Sequence, residues 1–244
     1  MPDFRLFDAR GYRTVDARSG YAEWVATYED TVQDAMDLEL LARVASVRWR
    51  GVERAADLGC GTGRTGAWLR AQGVRAVDGV DLTPEMLARA EARGVFERLV
   101  EADVADTGLP AGAYDLVAAS LVDEHLADLA PLYAVAARLA RPGASFVLAG
   151  LHPQLTMASG MPTHFDTAGG EPVAIETHVH LLSDHVAAAH AAGWTLAELH
   201  ERVVDDAWLA LKPKWGRLRG QPVSFGWVWK AWGLRPPTSS GSRW

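Results

Sequence analysis

The sequence contains one cysteine, Cys60, among its 244 residues. A framework of disulfide bonds is therefore excluded, and a reducing compartment such as the cytoplasm is expected. No run of about 18 uncharged apolar residues is present, and the N-terminus lacks a basic segment followed by an apolar one. The sequence thus predicts neither a membrane span nor a signal peptide. Basic residues are fewer than acidic ones, 24 against 31, and the net charge of −7 argues against a nucleic-acid-binding surface.

Apolar residues make up 49% of the chain, which is enough for the full core of one α/β domain. Short apolar segments alternate with stretches of helical periodicity, as in a doubly wound sheet. Seven segments are predicted to be strands, namely 55–58, 76–81, 96–102, 112–120, 144–151, 194–204 and 223–232.

The most informative segment joins the first of these strands to a helix. It reads Ala55-Ala56-Asp57-Leu58-Gly59-Cys60-Gly61-Thr62-Gly63-Arg64 and has three glycines at alternate positions. Glycines leave bare backbone against which a ligand can lie, and the following helix directs its N–H groups to the same place. Asp81 follows Gly63 by 18 residues at the end of the second strand. A doubly wound sheet places there a carboxylate that accepts hydrogen bonds from ribose hydroxyls.

Two classes of cofactor compete for such a turn. A dinucleotide-binding turn requires Gly-x-Gly-x-x-Gly, but Arg64 occupies the position of the last glycine. Instead, an acidic residue, Asp57, precedes Gly59-x-Gly61-x-Gly63, and Val80-Asp81-Leu82 follows at the expected distance. With these motifs the sequence resembles the class I S-adenosylmethionine (SAM) dependent methyltransferases, over roughly residues 20–232.

The resemblance implies an α/β fold with a Rossmann-like, seven-stranded sheet that is mostly parallel and has an antiparallel last strand. It also implies one domain over 21–232, in which a helical cap at 21–48 covers the cofactor. Residues 152–180 are expected to form a lid inserted after the fifth strand. Residues 1–20 are expected to be irregular, and the Pro- and Ser-rich residues 233–244 to be a disordered tail.

The resemblance further implies which residues contact SAM. The turn supplies backbone contacts, and Asp81 accepts the ribose hydroxyls. The adenine pocket is formed by Leu82, Met86, Asp103 and Val104. For Leu82 and Met86, packing in the core is the alternative role. Asp103 alternatively is a solvated loop residue. The full set of predicted cofactor residues is Tyr28, Asp57, Gly59, Cys60, Gly61, Gly63, Asp81, Leu82, Met86, Asp103, Val104 and Ser120.

The segment after Ser120 follows the fourth strand, and ligands of such sheets bind at the carboxyl ends of the strands. It lacks the Asn/Asp-Pro-Pro-aromatic motif of relatives that methylate nucleobase or glutamine nitrogens. The local pattern is similar to the small-molecule branch, of the methyltransferase type 11 or quinone-biosynthesis kind, in which a histidine occurs near His125. This residue is a candidate general base, or alternatively the cap of a helix over 126–140.

Five histidines lie between the fifth strand and the following helix or in that helix, namely His152, His164, His178, His180 and His185. Three interpretations remain open for them: a metal site, polar lid residues facing solvent, or contacts with the substrate. The metal site is the disfavoured interpretation, and no metal ligand is assigned, because this segment contains no cysteine and no suitably spaced carboxylate. His152 and His164 join His125 as base candidates, because imidazole titrates near neutrality.

A cationic and aromatic segment, 208–219, precedes the last strand of this acidic protein. It predicts either an anionic group on the substrate or a solvated surface. The predicted function is transfer of a methyl group from SAM to a small-molecule acceptor on O, N or C, with S-adenosylhomocysteine (SAH) as product. The alternatives are a SAM-binding, non-catalytic partner protein and an NAD(P)-dependent oxidoreductase. The sequence does not predict the oligomeric state.

Overall fold

A computed structural model describes residues 2–32 and 34–231, so the predicted disordered tail at 233–244 lies outside the described residues. The strands are β1 Arg13–Val15, β2 Arg54–Leu58, β3 Ala76–Asp81, β4 Arg98–Glu101, β5 Tyr114–Ser120, β6 Ala140–Leu151, β7 His164–Asp166, β8 Pro172–Ile175, β9 Trp194–Val203 and β10 Pro222–Ala231. The helices are α1 Ala17–Trp24, α2 Tyr28–Thr31, α3 Leu38–Leu41, α4 Arg64–Ala71, α5 Pro84–Arg93, α6 Ala130–Leu139, α7 Pro153–Ser159, α8 Leu182–Ala191 and α9 Asp206–Leu211.

Seven of the strands form one sheet in the order β4-β3-β2-β5-β6-β10-β9. Strands β2 to β6 pair in parallel, whereas β10 is antiparallel to both of its neighbours. The predicted Rossmann-like sheet with an antiparallel last strand is therefore confirmed. The order reverses between β2 and β5, and a ligand crevice is expected outside the carboxyl ends of the strands at that point.

Apolar residues cover both faces of the sheet, as is typical of parallel strands buried on both sides. Along β2, Ala55 packs in one cluster with Leu69 of α4 and Leu41 of α3. The next residue, Ala56, packs in the opposite cluster with Tyr133 of α6. This packing holds the carboxyl ends of β2, β3 and β5 together at the crevice.

The N-terminal region differs from the prediction of an irregular segment at 1–20. Strand β1 pairs in parallel with β8, and Thr14 lies opposite Ala174. Helix α1 begins before residue 21 because the Asp16 carboxylate caps it, accepting a 2.9 Å hydrogen bond from the Ser19 N–H. Residues 21–48 are not one continuous helix but contain the end of α1, then α2 and α3, with a 3₁₀ turn at Asp34–Met36.

The predicted insertion at 152–180 contains α7, β7 and β8. Strand β7 is antiparallel to β8, so that β1, β8 and β7 form a second, three-stranded sheet. The role of this segment as a lid stays a prediction. No helix among residues 2–32 and 34–231 combines the length and apolar character needed to cross a bilayer.

Candidate functional site

A cavity opens at the carboxyl ends of β2, β3 and β5, and α1 and α2 close its other side. Nine of the twelve predicted cofactor residues line this cavity, which we call the cofactor cavity: Tyr28, Gly59, Gly61, Asp81, Leu82, Met86, Asp103, Val104 and Ser120. The other three, Asp57, Cys60 and Gly63, do not line it.

The three glycines of the turn have different roles, although all have positive φ angles. Gly61, at φ +52°, is the one whose added Cβ would meet open space. A Cβ on Gly59 would collide with Val122, and a Cβ on Gly63 would lie 2.9 Å from the Phe96 ring. Only part of the turn therefore presents bare backbone to the cavity, because Gly63 does not line it. Gly61 gives access to a ligand, whereas Gly59 and Gly63 allow close packing.

Asp81 connects the turn to the end of β3. Its Oδ2 accepts a 2.7 Å hydrogen bond from the Gly61 N–H, and its Oδ1 accepts a 2.9 Å bond from the Thr83 N–H. Burial raises the pKa of Asp81, although these backbone donors oppose the shift. Each carboxylate oxygen retains a lone pair, so the group fits the predicted role of accepting ribose hydroxyls.

Asp57 and Cys60 lie behind the turn rather than in the cavity. The Cys60 thiol is buried, and its sulfur packs against the backbone of Gly79. The Asp57 side chain is fully buried, and neither of its carboxylate oxygens has a hydrogen-bond partner among residues 2–32 and 34–231. Burial, and then the neighbouring Asp81 carboxylate, raise the pKa of Asp57 to about 7.

This environment predicts that Asp57 makes stability depend on pH. The carboxyl is neutral in the folded protein below about pH 7, but in the unfolded chain it ionises near its ordinary pKa of about 3.9. The contribution of Asp57 to the free energy of unfolding is therefore fully present below its pKa in the unfolded chain. It is lost as the pH rises through its pKa in the folded protein. The shift corresponds to an upper limit of roughly 4 kcal/mol. We expect Asp57→Asn to remove this part of the decline in unfolding free energy between pH 4 and 8.

Urea unfolding across that pH range measures the effect. The matched control is Asp106→Asn, because Asp106 is an exposed loop carboxylate. The control should keep the wild-type pH dependence. A wild-type slope that persists in Asp57→Asn would show that Asp57 does not titrate as described.

The side chains predicted to contact adenine line the far part of the cofactor cavity. Met86 and Val104 are buried, and Leu82 is partly buried beside them. The Oδ1 atom of Asp103 accepts a 2.8 Å hydrogen bond from the Ala105 N–H, which fixes the carboxylate at the cavity wall. These residues form an apolar slot with one carboxylate at its end.

A buried polar network next to Ser120 was missed by the sequence analysis. The Ser120 hydroxyl donates a 2.9 Å hydrogen bond to Asp37, and Arg64 donates to both oxygens of the same carboxylate. Burial alone would lower the pKa of Arg64, but Asp37 and Asp34 raise it overall. The network ties the N-terminal helices to the start of α4. Its sequence signal is Asp37 immediately before Leu-Glu-Leu-Leu, where it caps α3.

His125 lines the cofactor cavity and contacts Tyr21, which sequence analysis did not include among the site residues. The Nδ1 atom of His125 lies 2.8 Å from the Glu176 carbonyl oxygen, which can only accept, so Nδ1 carries the proton. The Nε2 atom therefore accepts the 2.9 Å hydrogen bond from the Tyr21 hydroxyl. Burial lowers the pKa of His125.

The alternative role of His125 as a helix cap is excluded. Helix α6 begins at Ala130, and the Asp128 carboxylate accepts a hydrogen bond from the Ala130 N–H.

A second cavity, of about 380 Å³, adjoins the first and shares Tyr21, Tyr28 and Leu121 with it. We call it the acceptor cavity. Leu121 directly follows β5 and has φ +55°, the one positive φ of a non-glycine residue in the described part of the chain. Such strained conformations in L-residues cluster at functional sites. The junction of the two cavities is therefore a candidate site for chemistry.

The structure does not bring the three histidine base candidates together. His164 lines the acceptor cavity, and its Nδ1–H donates to the Pro162 carbonyl oxygen at 3.0 Å. His152 lines neither cavity. It caps α7 by accepting a 3.1 Å hydrogen bond from the Gln154 N–H, and its Nε2 atom lies 2.9 Å from Glu201.

Two of the remaining histidines, His180 of the predicted lid and His185 of α8, pack locally. The His180 Nε2–H donates to the Leu126 carbonyl oxygen at 2.7 Å, and His185 Nδ1 lies 3.0 Å from the Tyr133 hydroxyl. In the described part of the chain, no three His, Cys, Asp or Glu side chains are arranged to hold a metal ion. From the cationic segment, Trp208, Lys212 and Trp215 line the acceptor cavity.

Comparison with known proteins agrees with this geometry. Residues 56–148, which run from within β2 through the glycine turn into β6, match the family described as "Methyltransferase domain". The demethylmenaquinone methyltransferase of Thermus thermophilus is 33% identical over 138 residues, which cover 50% of this chain and 62% of the relative. The ribosomal protein L11 methyltransferase of Thiobacillus denitrificans is 37% identical over 114 residues, which cover 43% of this chain and 36% of the relative. The chain thus spans less than two thirds of either relative.

Among solved structures, an S-adenosylmethionine-dependent methyltransferase from Mesorhizobium loti superposes with a TM-score of 0.62 and 25% identity. The superposition covers 82% of this chain and 99% of that protein. The alternative of an NAD(P)-dependent oxidoreductase is therefore set aside. Residues 56–148 thus match a methyltransferase domain, and the chain has the fold of the SAM-dependent methyltransferases.

Proposed function

We propose that the protein transfers a methyl group from SAM to a small molecule bound in the acceptor cavity. The observation that carries this proposal is the junction at Tyr21, Tyr28 and Leu121, which belong to both cavities. A cofactor and a second substrate held on either side of the junction are neighbours, and methyl transfer requires such proximity.

The residues of the cofactor cavity fit SAM. Gly61 leaves open space where any side chain would intrude, and Asp81 presents carboxylate oxygens beside it. Leu82, Met86 and Val104 form the slot for adenine, with Asp103 at its end. When bound, SAM supplies an electrophilic methyl group on its sulfonium, so that the protein has only to bind, orient and deprotonate the acceptor.

Tyr21 and His125 are the groups placed to remove a proton from the acceptor. The acceptor proton moves to the Tyr21 oxygen, while the Tyr21 proton moves along the existing hydrogen bond to His125 Nε2. Burial raises the pKa of Tyr21 well above its usual value, so the hydroxyl holds its proton until the acceptor approaches. His152, which lines neither cavity, is not assigned this role, nor is His164, which lines the acceptor cavity but not the cofactor cavity.

A small acceptor is favoured over a macromolecule by the form of the second cavity. Its volume of about 380 Å³ lies within the range of small-molecule sites, and the net charge of −7 disfavours nucleic acid. The names of the two relatives specify demethylmenaquinone and a ribosomal protein, so they do not decide the question alone.

The test is turnover. Purified protein, incubated with SAM and a panel of small aromatic acceptors, is expected to release SAH in proportion to the methylated product. If SAH binds but no acceptor in the panel yields it, the result would favour the alternative of a SAM-binding, non-catalytic partner protein.

A further inference from the structure

The acceptor cavity has walls suited to a flat molecule. Aromatic rings contributed by three separate parts of the chain surround it, namely Trp24, Tyr28, Phe165, Trp208 and Trp215. Aromatic side chains bury a large apolar area and favour stacked or edge-to-face contact with another ring. The walls thus favour an aromatic acceptor over an open-chain aliphatic one.

One end of this cavity holds an unsatisfied carboxyl. Glu124 is 6% exposed, and its Oε2 atom has no hydrogen-bond partner in the described part of the chain. Its Oε1 atom lies 3.5 Å from the Thr163 hydroxyl and 3.8 Å from His125 Nε2, which places Glu124 near the junction. A buried polar atom without a partner is costly, so a ligand that supplies one gains affinity.

Glu124 is also suited to meet an uncharged oxygen. Burial, and then the adjacent Asp123 carboxylate, raise the pKa of Glu124. A neutral carboxyl both donates and accepts hydrogen bonds, as a hydroxyl group does. The neutral Glu124 carboxyl can therefore donate a hydrogen bond to a ligand hydroxyl group or accept one from it.

The wall of the same cavity carries a cation. Lys212 is half-buried and forms no ion pair with a carboxylate among residues 2–32 and 34–231. The side chains of Trp24 and Trp208 also line the cavity, but their indole N–H groups are buried and have no acceptor within that part of the chain. The Lys212 ammonium, which has no carboxylate partner there, matches an anionic, oxygen-rich group on a ligand.

We propose that the acceptor is an aromatic hydroxy acid. Its ring lies between the aromatic walls, its hydroxyl group binds Glu124 near the junction, and its carboxylate binds Lys212. This inference rests on the proposed function, because it names the class of molecule that the acceptor cavity receives.

Binding of defined probes tests the assignment without requiring turnover. The probes are 4-hydroxybenzoate, 4-hydroxyphenylacetate and 3-(4-hydroxyphenyl)propanoate, which vary the distance between hydroxyl and carboxylate. Each is compared with its methyl ester and with the analogue that lacks the hydroxyl group. The full-length protein, saturated with SAH, is titrated by calorimetry and by tryptophan fluorescence. We expect at least one acid to bind about tenfold more tightly than its ester.

Four variants locate the contacts. Lys212→Met should remove the preference for the acid, whereas Lys214→Met should retain it, because Lys214 is exposed and does not line the cavity. Glu124→Leu should remove the preference for the hydroxyl group. Glu124→Gln should restore it, because a neutral amide also donates and accepts.

The outcomes separate two failures. If SAH does not bind the wild-type protein, the proposed function itself fails. If SAH binds but the acids bind no better than their esters and deoxy analogues, the assignment of an aromatic hydroxy acid is wrong. Equal weakening by Lys212→Met and Lys214→Met, or binding by Glu124→Gln as weak as by Glu124→Leu, would also overturn it.

Discussion

Gly61→Ala is expected to weaken SAM binding by about 100-fold. The added Cβ would project into the open space of the cofactor cavity, where a ligand lies against the backbone. The φ angle of +52° also strains an alanine, at a cost of about 1 kcal/mol. Calorimetric titration with SAH measures the affinity, and urea unfolding measures the stability.

The matched control for this prediction is Gly112→Ala. Gly112 has φ +61° and nothing within 4 Å of an added Cβ, so the control carries the same backbone strain away from the cavity. Both variants should lose similar stability, but only Gly61→Ala should lose affinity. Equal affinities for SAH in the two variants would show that the cofactor does not lie against Gly61.

Tyr21→Phe is expected to lower kcat by about 100-fold at saturating SAM, within the usual range for a missing proton acceptor. The substitution keeps the ring but removes the hydroxyl group that donates to His125 Nε2. His125→Gln should have a similar effect, and the double variant should be little slower than either single one, because the two groups act as one relay. SAH affinity should change little in Tyr21→Phe.

The pH profile gives an independent check on the relay. His125 must be neutral to accept the proton, and its pKa is lowered by burial. The wild-type rate is therefore expected to stay level as pH falls to about 6.5, the ordinary pKa of histidine, and to decline only below it. His152→Gln serves as the control and should leave kcat unchanged, because His152 caps α7 outside both cavities. A rate of Tyr21→Phe equal to that of the wild-type protein would exclude the relay.

The parts of the fold that the sequence predicted are those with a local signal. The strands of the large sheet have buried apolar runs, and the glycine turn with Asp81 has a fixed spacing, so both were located to within a few residues. Strand β1 has only three residues, and its partner β8 lies about 160 positions later in the chain. No local pattern reports such a pairing, which explains why residues 1–20 were expected to be irregular.

The site shows the same division between local and long-range signals. Most of the predicted residues of the cofactor cavity follow strand ends, where the motif spacing locates them in the sequence. Tyr21 is an ordinary helix residue in the sequence, 104 positions before His125, and only folding brings its hydroxyl to that side chain. Glu124 adjoins His125 in the sequence, but its contact with Thr163 and its place in the acceptor cavity come from the fold. His152 was a reasonable candidate from its position after β6, but its side chain caps the next helix instead.

The central claim is that the turn at 59–63, together with Asp81, binds the adenosyl cofactor. Its most direct test is calorimetric titration of the wild-type protein with SAH, with NAD⁺ as the comparison ligand. The structure predicts saturable binding of one SAH per chain in the micromolar range and no heat with NAD⁺. Absence of binding with SAH, or preferential binding of NAD⁺, would contradict it.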